Sequence, residues 1–327
     1  KKIIKTPLDP EKTYDDDPLR MMRAIRFATT LGFEVEKQSL EAIKKLNHRL
    51  KIIKQERITE ELNKIILSKK PSHGIILLSQ TKLLNIFFPE FELLHGVENI
   101  NGVTHKDNFY HTLKVLDNVS LVTESLWLRW AAILHDIAKP NTKKFDKLQG
   151  WTFHGHEYLG SKMVYHIFKR LKLPLDDNMK YVAKLVLLHL RPISLSKDIV
   201  TDSAIRRLLF DAQSDIDDLM LLCHADITSK NEKKVKKYQT NLKNVAIKLK
   251  DVESRDKIRN WRPPINGDII MQKLKLKGGK SNPREGKKIA MIKEQIKEAI
   301  LDGKIKNDYL EAENLMYNIA GKLGIKY

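Results

Sequence analysis

Apolar residues recur every three or four positions along most of this chain, which is the spacing of one face of an α-helix. The pattern is clearest in seven segments: residues 19–31, 39–50, 58–67, 73–84, 109–119, 161–171 and 180–190. Alternation of apolar and polar residues, which is typical of strands, is scarce, and the short KIIK segments are not enough to build a sheet. The pattern therefore predicts an all-α fold with short polar loops.

Changes in the pattern divide the chain into three regions: 1–85, 86–250 and 251–327. The first holds short helices rich in Arg and Lys, and the second holds most of the histidines. The segment KNEKKVKKYQ predicts the start of a long charged helix, and NWRPPINGD, with its prolines and glycine, predicts its end. In the tail, the composition of GGKSNPREGKK predicts a flexible basic loop.

Composition adds a strong basic character to this helical picture. The chain has 327 residues, a formal net charge of +19 and a pI near 9.7. A protein this basic most often binds a polyanion, with nucleic acid as the first expectation and an anionic membrane surface as the second. Because Lys greatly outnumbers Arg, lysines that merely cover solvated faces remain an alternative.

The single cysteine, Cys223, excludes an internal disulfide framework and indicates a reducing compartment. Its apolar surroundings predict a buried, unreactive thiol. We expect a cytoplasmic protein, because no apolar stretch approaches eighteen residues and no signal peptide opens the chain. The opening KKIIKTPLDP begins with Lys1 and predicts an extended segment, so we expect the sequence to start inside a longer protein.

An arginine-rich helix is predicted near the start of the chain. Asp17 suits the N-cap, Pro18 the first helical position and Gly32 the end. Arginines at positions 20, 23 and 26 would share one side, while Met21, Ile25 and Ala28 would face the core. The spacing alone is also that of an ordinary solvated amphipathic helix.

The longer string LDPEKTYDDDPLRMMRAIRFATTLGFEVE resembles the neck of class II tRNA nucleotidyltransferases and bacterial poly(A) polymerases. The resemblance implies that Asp16, Asp17 and Arg20 contact the base of ATP or CTP. The family more usually has glutamate where this chain has Asp16. A carboxylate and a guanidinium suit this role, because they can accept from and donate to the edge of a base.

The segment QERITEELNKIIL resembles the next neck element of the same family. Arg57, Glu60 and Glu61 occupy the matching positions, and we expect them to brace the neck through ion pairs and hydrogen bonds. The resemblance extends over most of the chain and implies a helical neck and body, then a helical bundle and a helical tail.

The family's catalytic head is missing from the sequence. In the family it contributes a glycine-rich stretch and a paired-aspartate strand that hold nucleotide phosphates and two metal ions, with Mg²⁺ expected. Neither motif occurs from Lys1 onward. We therefore expect that this chain does not transfer nucleotides by itself, because two-metal phosphoryl chemistry needs carboxylates to hold the ions.

A set of histidines and aspartates accompanies the helices of the second region. It comprises His111, His135, Asp136, His154, His156, His189 and Asp226. A lone histidine on an apolar helix face is usually a satisfied core residue. Several such residues on separate helices instead indicate a divalent-cation site in a helical bundle.

The order His, His-Asp, Asp, with HDIAKP followed by GHEYLGSKM, resembles the HD superfamily of metal-dependent phosphohydrolases. The resemblance implies one metal bound by His111, His135, Asp136 and Asp226, while His156 and His189 match the additional ligands of two-metal members. His135 and Asp136 would then form the catalytic core with Lys139, which could contact a phosphate. His154 falls too early for the pattern, and His105, Lys106 and Asp107 could lie near the site.

A divalent ion in such a site activates water for attack on phosphorus. The resemblance implies phosphomonoesters or 2′,3′-cyclic phosphates as substrates, and a degenerate site without turnover remains an alternative.

Three functions follow from the sequence. The leading interpretation is the neck, body and HD-containing tail of an enzyme that adds nucleotides from ATP and CTP to RNA 3′ ends, as in tRNA CCA-end formation. The helical body and basic tail would hold tRNA. The alternatives are a stand-alone HD phosphohydrolase and a non-catalytic RNA-binding module. In NWRPPINGD, Trp261 and Arg262 could stack on a nucleotide, although a structural turn is the simpler interpretation.

Overall fold

Helices make up most of the computed structural model, which describes residues 2–195, 200–229, 231–259, 261–278 and 282–325. The all-α prediction is confirmed. In chain order the α-helices are α1 Pro10–Asp16, α2 Leu19–Leu31, α3 Lys37–Leu46, α4 Gln55–Ile66, α5 Pro71–Gln80, α6 Leu84–Phe87, α7 Pro89–Glu92, α8 Asn108–Ser120, α9 Leu126–Leu134, α10 Lys139–Thr142, α11 His156–Leu171, α12 Asp177–Leu188, α13 Leu190–Leu195, α14 Asp202–Ala212, α15 Ile216–Ala225, α16 Glu232–Asp256, α17 Gly267–Lys273, α18 Pro283–Leu301 and α19 Tyr309–Lys322. Short 3₁₀ turns cover Asn47–Ile52 and Gln213–Asp215.

Three two-stranded sheets accompany these helices. The strands are β1 Ile3–Ile4, β2 Glu34–Val35, β3 Asn99–Ile100, β4 Val103–Thr104, β5 Lys144–Asp146 and β6 Gly150–Thr152. Strand β1 pairs in parallel with β2, whereas β3 with β4 and β5 with β6 form antiparallel hairpins. The sequence analysis missed both hairpins, because two or three residues are too short to show a strand period.

The chain divides into two compact units. Unit 1 comprises Lys1–Ser194 and Asp217–Leu242, and unit 2 comprises Leu195–Ile216 and Lys243–Tyr327. The predicted first region and most of the histidine-rich second region thus pack within unit 1. Helices α17 and α18, and likewise α18 and α19, contact each other within unit 2.

Helix α2 is the centre of the first half of unit 1, where it packs against α4 and α5. Met21, Ile25 and Ala28 are fully buried, as predicted. Gly74 on α5 lies against Thr29 and Ile65, and a Cβ at this glycine would come within 2.5 Å of Ile65 Cγ2. The close approach of three helices therefore requires glycine here.

The ends of α2 agree with the sequence signals to within one residue. The helix begins at Leu19, just after Pro18, and the Asp17 carboxylate accepts a hydrogen bond from the Leu19 N–H at 3.2 Å. Gly32 ends the helix with a φ of 66°, in the left-handed region that glycine adopts without strain. Asp17 therefore acts as a cap, although Pro18 precedes the helix instead of opening it.

Two predicted segments differ in the structure. Residues 73–84 are not one helix, because the chain breaks between α5 and α6 at Lys82, which has a φ of 61°. The prediction of a basic loop at GGKSNPREGKK is wrong for the second half of that segment, because α18 begins at Pro283 and the Asn282 side chain caps it. Proline suits the first turn of a helix. The rest of that prediction, at residues 279–281, lies outside the described residues.

The long charged helix is confirmed as α16, and residues 261–266 after it are not helical. In unit 2, Arg207 forms ion pairs of 2.6 Å with both Glu298 and Asp302 of the segment around the end of α18. Among the described helices, none combines the length and the apolar content that a membrane crossing requires.

Candidate metal centre

The histidines and aspartates of the predicted site lie at helix ends in unit 1. His111 is in the first turn of α8, and His156 is the first residue of α11. His135 and His189 directly follow α9 and α12, and Asp226 follows α15. Because these polar side chains are at the ends of the helices, several of them can converge on one point while the apolar faces of the helices stay continuous.

One group of ligand atoms surrounds Oδ2 of Asp136. His135 Nε2 lies 3.2 Å from this oxygen, and His111 Nε2 lies 3.5 Å from it. Asp226 Oδ1 closes the group, at 2.9 Å from His111 Nε2 and 3.7 Å from His135 Nε2. These are four residues that the sequence analysis placed in one metal site.

A second group surrounds the other oxygen of the same carboxylate. His156 Nε2 lies 3.3 Å from Asp136 Oδ1, and His189 Nε2 lies 3.8 Å from it. The Nε2 atoms of the two histidines are 3.3 Å apart. Asp136 therefore belongs to both groups, with one oxygen facing each.

Backbone carbonyls set the orientation of three of the imidazole rings. Nδ1 of His135, His156 and His189 lies 2.7–2.8 Å from the carbonyl oxygen three residues earlier. Since a carbonyl only accepts, each Nδ1 carries a proton, and Nε2 is the nitrogen that each ring turns into the site, where it is free to bind a metal when the ring is neutral. Nδ1 of His111 is instead 2.8 Å from Thr228 Oγ1.

The residues fit a divalent transition-metal ion, for which imidazole nitrogen and carboxylate oxygen are suitable ligands. His135 Nε2 and Asp136 Oδ1 are buried and have no hydrogen-bond partner among the described residues. An unpaired buried polar atom is costly, and a cation bound in each of the two groups would give each of these atoms a partner. The carbonyl contacts at Nδ1 are the outer contacts that orient metal-bound histidines.

The charges of the cluster stabilise its carboxylates. Burial alone would raise the pKa of Asp136, but His135 and Lys139 hold that pKa well below its ordinary value. Burial likewise opposes ionisation of Asp226, yet hydrogen bonding from His111 and the charge of His135 lower its pKa to about 2. Burial and the neighbouring His135 lower the pKa of His189 to about 4. His189 is therefore neutral near pH 7, the state in which it can bind a metal.

Lys139 is the cation next to the cluster. Its Nζ lies 2.6 Å from Asp136 Oδ2 and 5.6 Å from the centre of the Phe153 ring. The side chain is about four-fifths buried, so its charge acts in a medium that screens less than bulk water does. The sequence analysis named this lysine as a phosphate contact, and that role stays a prediction.

The remaining predicted neighbours differ in their positions. His154 is exposed, and Asp107 caps α8 by accepting from the N–H groups of Phe109 and Tyr110. His105 packs edge-on against Trp151, and Lys106 is exposed. The structure thus assigns Asp107 a capping contact, and none of these residues joins the two ligand groups.

Cys223 is fully buried, as predicted, and its thiol donates to the carbonyl of His189 at 3.0 Å. Burial raises the pKa of this thiol well above its ordinary value. The thiol therefore stays protonated and unreactive. Thr228, which orients His111, was missed by the sequence analysis; its only signal is its place two residues after Asp226.

The predicted base-contact residues lie at the start of α2, also in unit 1. Asp16 and Arg20 are exposed and Asp17 is half-buried. Arg20 Nε is 3.8 Å from Asp17 Oδ2, so a carboxylate and a guanidinium stand side by side at the surface. This pair offers acceptor and donor atoms to one planar ligand edge.

The other arginines of α2 contact α4. The carboxylate of Glu61 is buried, and Arg26 Nε lies 2.5 Å from it while Arg23 Nε lies 3.8 Å away. The predicted bracing role is therefore visible for Glu61. Arg57 and Glu60 are exposed.

Comparisons with known proteins match two ranges of the chain and several relatives. Residues 32–94 match the family described as "Probable RNA and SrmB- binding site of polymerase A", and residues 108–231 match the HD domain. The chain is 36% identical over 220 residues to the A-adding tRNA nucleotidyltransferase of Deinococcus radiodurans, covering 64% of this chain and 49% of the relative. It is 32% identical over 234 residues to the CC-adding tRNA nucleotidyltransferase of Thermus thermophilus, covering 67% of this chain and 51% of that one.

The chain belongs to the class II tRNA nucleotidyltransferase family. It corresponds to the body and HD portion of the family and spans about half the length of these curated relatives. Its fold is also similar to the crystal structure of the Bacillus stearothermophilus CCA-adding enzyme in complex with CTP. That match has a TM-score of 0.59 at 17% identity, and covers 99% of this chain and 67% of the solved one. The cluster of histidines and aspartates from His111 to Asp226, here called the HD cluster, lies entirely within the range 108–231 that matches the HD domain.

Proposed function

We propose that this chain is part of an enzyme that adds nucleotides from ATP and CTP to the 3′ end of tRNA. The proposal rests on sequence identity of 36% and 32% to an A-adding and a CC-adding tRNA nucleotidyltransferase, each along about two thirds of this chain. Region 1–85 would hold the incoming base, region 86–250 the HD site, and the basic tail 251–327 would contact the RNA. The net charge of +19 supports a polyanionic partner.

Asp17 and Arg20 would read the base in this enzyme, with Asp16 beside them. The exposure of Asp16 and Arg20, and the 3.8 Å between Arg20 Nε and Asp17 Oδ2, support this role. The test is Arg20→Ala in the enzyme that includes its nucleotidyl-transfer head, assayed by incorporation of ATP and of CTP into tRNA. We expect the selection between the two nucleotides to be lost. Lys12→Ala, an exposed cation on the neighbouring helix α1, is the control; equal effects of both substitutions would contradict the assignment.

We further propose that the HD cluster is a metal-dependent phosphohydrolase site for phosphomonoesters or 2′,3′-cyclic phosphates. The carrying observation is the Asp136 carboxylate, whose two oxygens face two separate sets of histidine nitrogens. His111, His135 and Asp226 would hold a metal with Oδ2, and His156 and His189 one with Oδ1. A divalent ion in such a site supplies Lewis acidity and an activated water. Lys139, with its cationic Nζ at the edge of the cluster, would bind a phosphate oxygen of the substrate.

The hydrolase proposal is tested with the purified chain, bis-p-nitrophenyl phosphate and a panel of Mg²⁺, Mn²⁺ and Ni²⁺, with 2′,3′-cyclic AMP as a second substrate. We expect metal-dependent release of nitrophenol that Asp136→Ala abolishes and that Asp177→Ala, an exposed carboxylate on α12, leaves unchanged. Activity that survives Asp136→Ala would place the chemistry elsewhere.

The two alternatives predict different results. A stand-alone HD phosphohydrolase would be active on nucleotides without affinity for tRNA, whereas a non-catalytic RNA-binding module would bind tRNA and turn over neither phosphoester. A tRNA titration at two salt concentrations separates them, because phosphate contacts make the affinity fall steeply with salt.

A further inference from the structure

A cavity of about 320 Å³ lies within unit 2, among the end of α14, the segment after α16 and helix α18. Its volume is within the range of small-molecule sites in proteins. The proposed hydrolase and base-contact residues all lie in unit 1, and none of them lines the cavity. It includes Trp261 and Arg262 of the WRPP segment that the sequence analysis singled out.

One wall of the cavity is aromatic. The rings of Phe210 and Trp261 are 5.6 Å apart at an angle of 61°, and Pro263 adds a further apolar surface. Nε1 of Trp261 is buried and has no hydrogen-bond partner among the described residues. Aromatic surface that lines a cavity in a basic setting is suited to an unstacked base, and an unpaired donor nearby favours a ligand that carries acceptors.

The rest of the wall is mainly cationic. The lining contains three cations, Arg262, Lys293 and Lys297, and one carboxylate, that of Glu294. The net charge of the lining is therefore two positive units. Lys297 is already engaged, because its Nζ is 2.5 Å from Glu294 and 5.6 Å from the centre of the Phe210 ring. Arg262 and Lys293 are exposed, so these two cations are the ones available to an anionic ligand.

Gln213 completes the lining, with a backbone φ of 54°. A positive φ is uncommon for a residue other than glycine, and such strain tends to persist where a ligand is bound. The glutamine amide carries both a donor and an acceptor, as recognition of a base edge requires.

We propose that this cavity binds a single nucleotide. Its base would lie against Phe210 and Trp261, and its phosphate would contact Arg262 and Lys293. The shared chemistry is a nucleoside phosphate, which a free mononucleotide and an unpaired nucleotide of an RNA both provide. The inference uses unit 2 alone and stands apart from the hydrolase and base-reading proposals.

The test uses the full chain with two probes: 4-thiouridine monophosphate, and a short single-stranded RNA that carries one internal 4-thiouridine. Each probe is titrated, then cross-linked with ultraviolet light, and the modified peptide is mapped by mass spectrometry. We expect the cross-link in the peptides of Trp261 or Phe210. Binding of both probes assigns the site to free nucleotides, and binding of the RNA alone assigns it to RNA.

Substitutions separate a site from general charge attraction. We expect the double variant Arg262→Gln/Lys293→Gln to weaken binding about tenfold, the loss of a charge-assisted contact. The matched control is Arg284→Gln/Lys287→Gln, which removes the same charge from exposed positions of α18 outside the cavity. Trp261→Phe, with its folding checked by thermal melting, should weaken binding severalfold. Equal effects of the two double variants, or cross-links elsewhere, would overturn the proposal.

Discussion

Nε2 of His156 lies 3.3 Å from Nε2 of His189, while Nδ1 of each ring contacts the carbonyl three residues before it. Both Nε2 atoms are therefore acceptors when the rings are neutral, and two acceptors cannot form a hydrogen bond with each other. Asp136 Oδ1 beside them is a third acceptor. Three acceptors that converge in a buried space are the arrangement that a cation stabilises.

The number of metal ions bound per chain should depend on the two carboxylate oxygens of Asp136, because each oxygen belongs to one ligand group. We expect calorimetry with Mn²⁺ or Ni²⁺ to find two ions per chain, one for each ligand group, one after His156→Gln, and none after Asp136→Ala. Saturating metal should also raise the free energy of unfolding, by about 2.7 kcal/mol for each bound ion at a hundredfold excess over Kd. His166→Gln, an exposed histidine on the same helix, should change neither result. Unchanged stoichiometry in His156→Gln would exclude the second group.

Lys139 should act on the substrate and not on metal binding. Because its Nζ is held 2.6 Å from Asp136 Oδ2, Lys139→Gln should lower kcat on bis-p-nitrophenyl phosphate on the order of a hundredfold, as loss of one charge-stabilising donor does. Lys143→Gln, which changes the lysine between α10 and β5, serves as the control. If Lys139→Gln also reduces the number of bound ions, the lysine positions Asp136 instead.

Glu61 should stabilise the neck. Its buried carboxylate pairs with Arg26 at 2.5 Å, and removing one partner leaves a half-buried cation without compensation. We expect Glu61→Gln to lower the free energy of unfolding by about 2 kcal/mol in urea denaturation. Glu41→Gln breaks an exposed pair with Lys44 and should cost less than about 0.5 kcal/mol. Equal costs would mean that burial of Glu61 contributes nothing.

Gly74 should not tolerate a methyl group. A Cβ there would meet Ile65 at 2.5 Å and the side chain of Thr29, so Gly74→Ala should destabilise the chain by about 1–3 kcal/mol. Gly321, on α19, has no atom within 4 Å of such a Cβ, and Gly321→Ala should be stabilising by up to about 1 kcal/mol through helix propensity. Thermal melting of both variants measures the difference; a stable Gly74→Ala would show that the helices can separate without cost.

The sequence predicted a helix and its ends correctly where an apolar face was flanked by residues that start or stop helices. Helix α2 runs from Leu19 to Leu31, within one residue of its predicted ends, because Asp17, Pro18 and Gly32 are local signals that act through their own backbone. The errors occurred where a local signal was absent or ambiguous. Lys82 breaks a continuous apolar pattern with a left-handed residue, and Pro283 opens a helix in a segment whose Gly and Ser suggested a loop.

Buried polar contacts at long range were not predictable. Arg129 stands in the apolar segment LWLRWAAIL, yet it is buried and donates to the carbonyls of Ile66, Ser68, Ser120 and Thr123. These bonds tie α9 to the ends of α4 and α8. Periodicity shows only whether a position is apolar, so it cannot identify a buried charge whose partners include Ile66 and Ser68, 63 and 61 residues away.

The sequence by itself determined the helical fold class and supplied candidate ligands of suitable types, because these depend on local periodicity and on donor chemistry. Which histidines and aspartates belong together was implied by the resemblance to the HD superfamily. The tertiary structure decided that the Asp136 oxygens face different histidines, that Thr228 orients His111, and that Phe210 and Trp261 line one cavity. Each of these is a distance between atoms far apart along the chain, and such distances are set only when the helices pack.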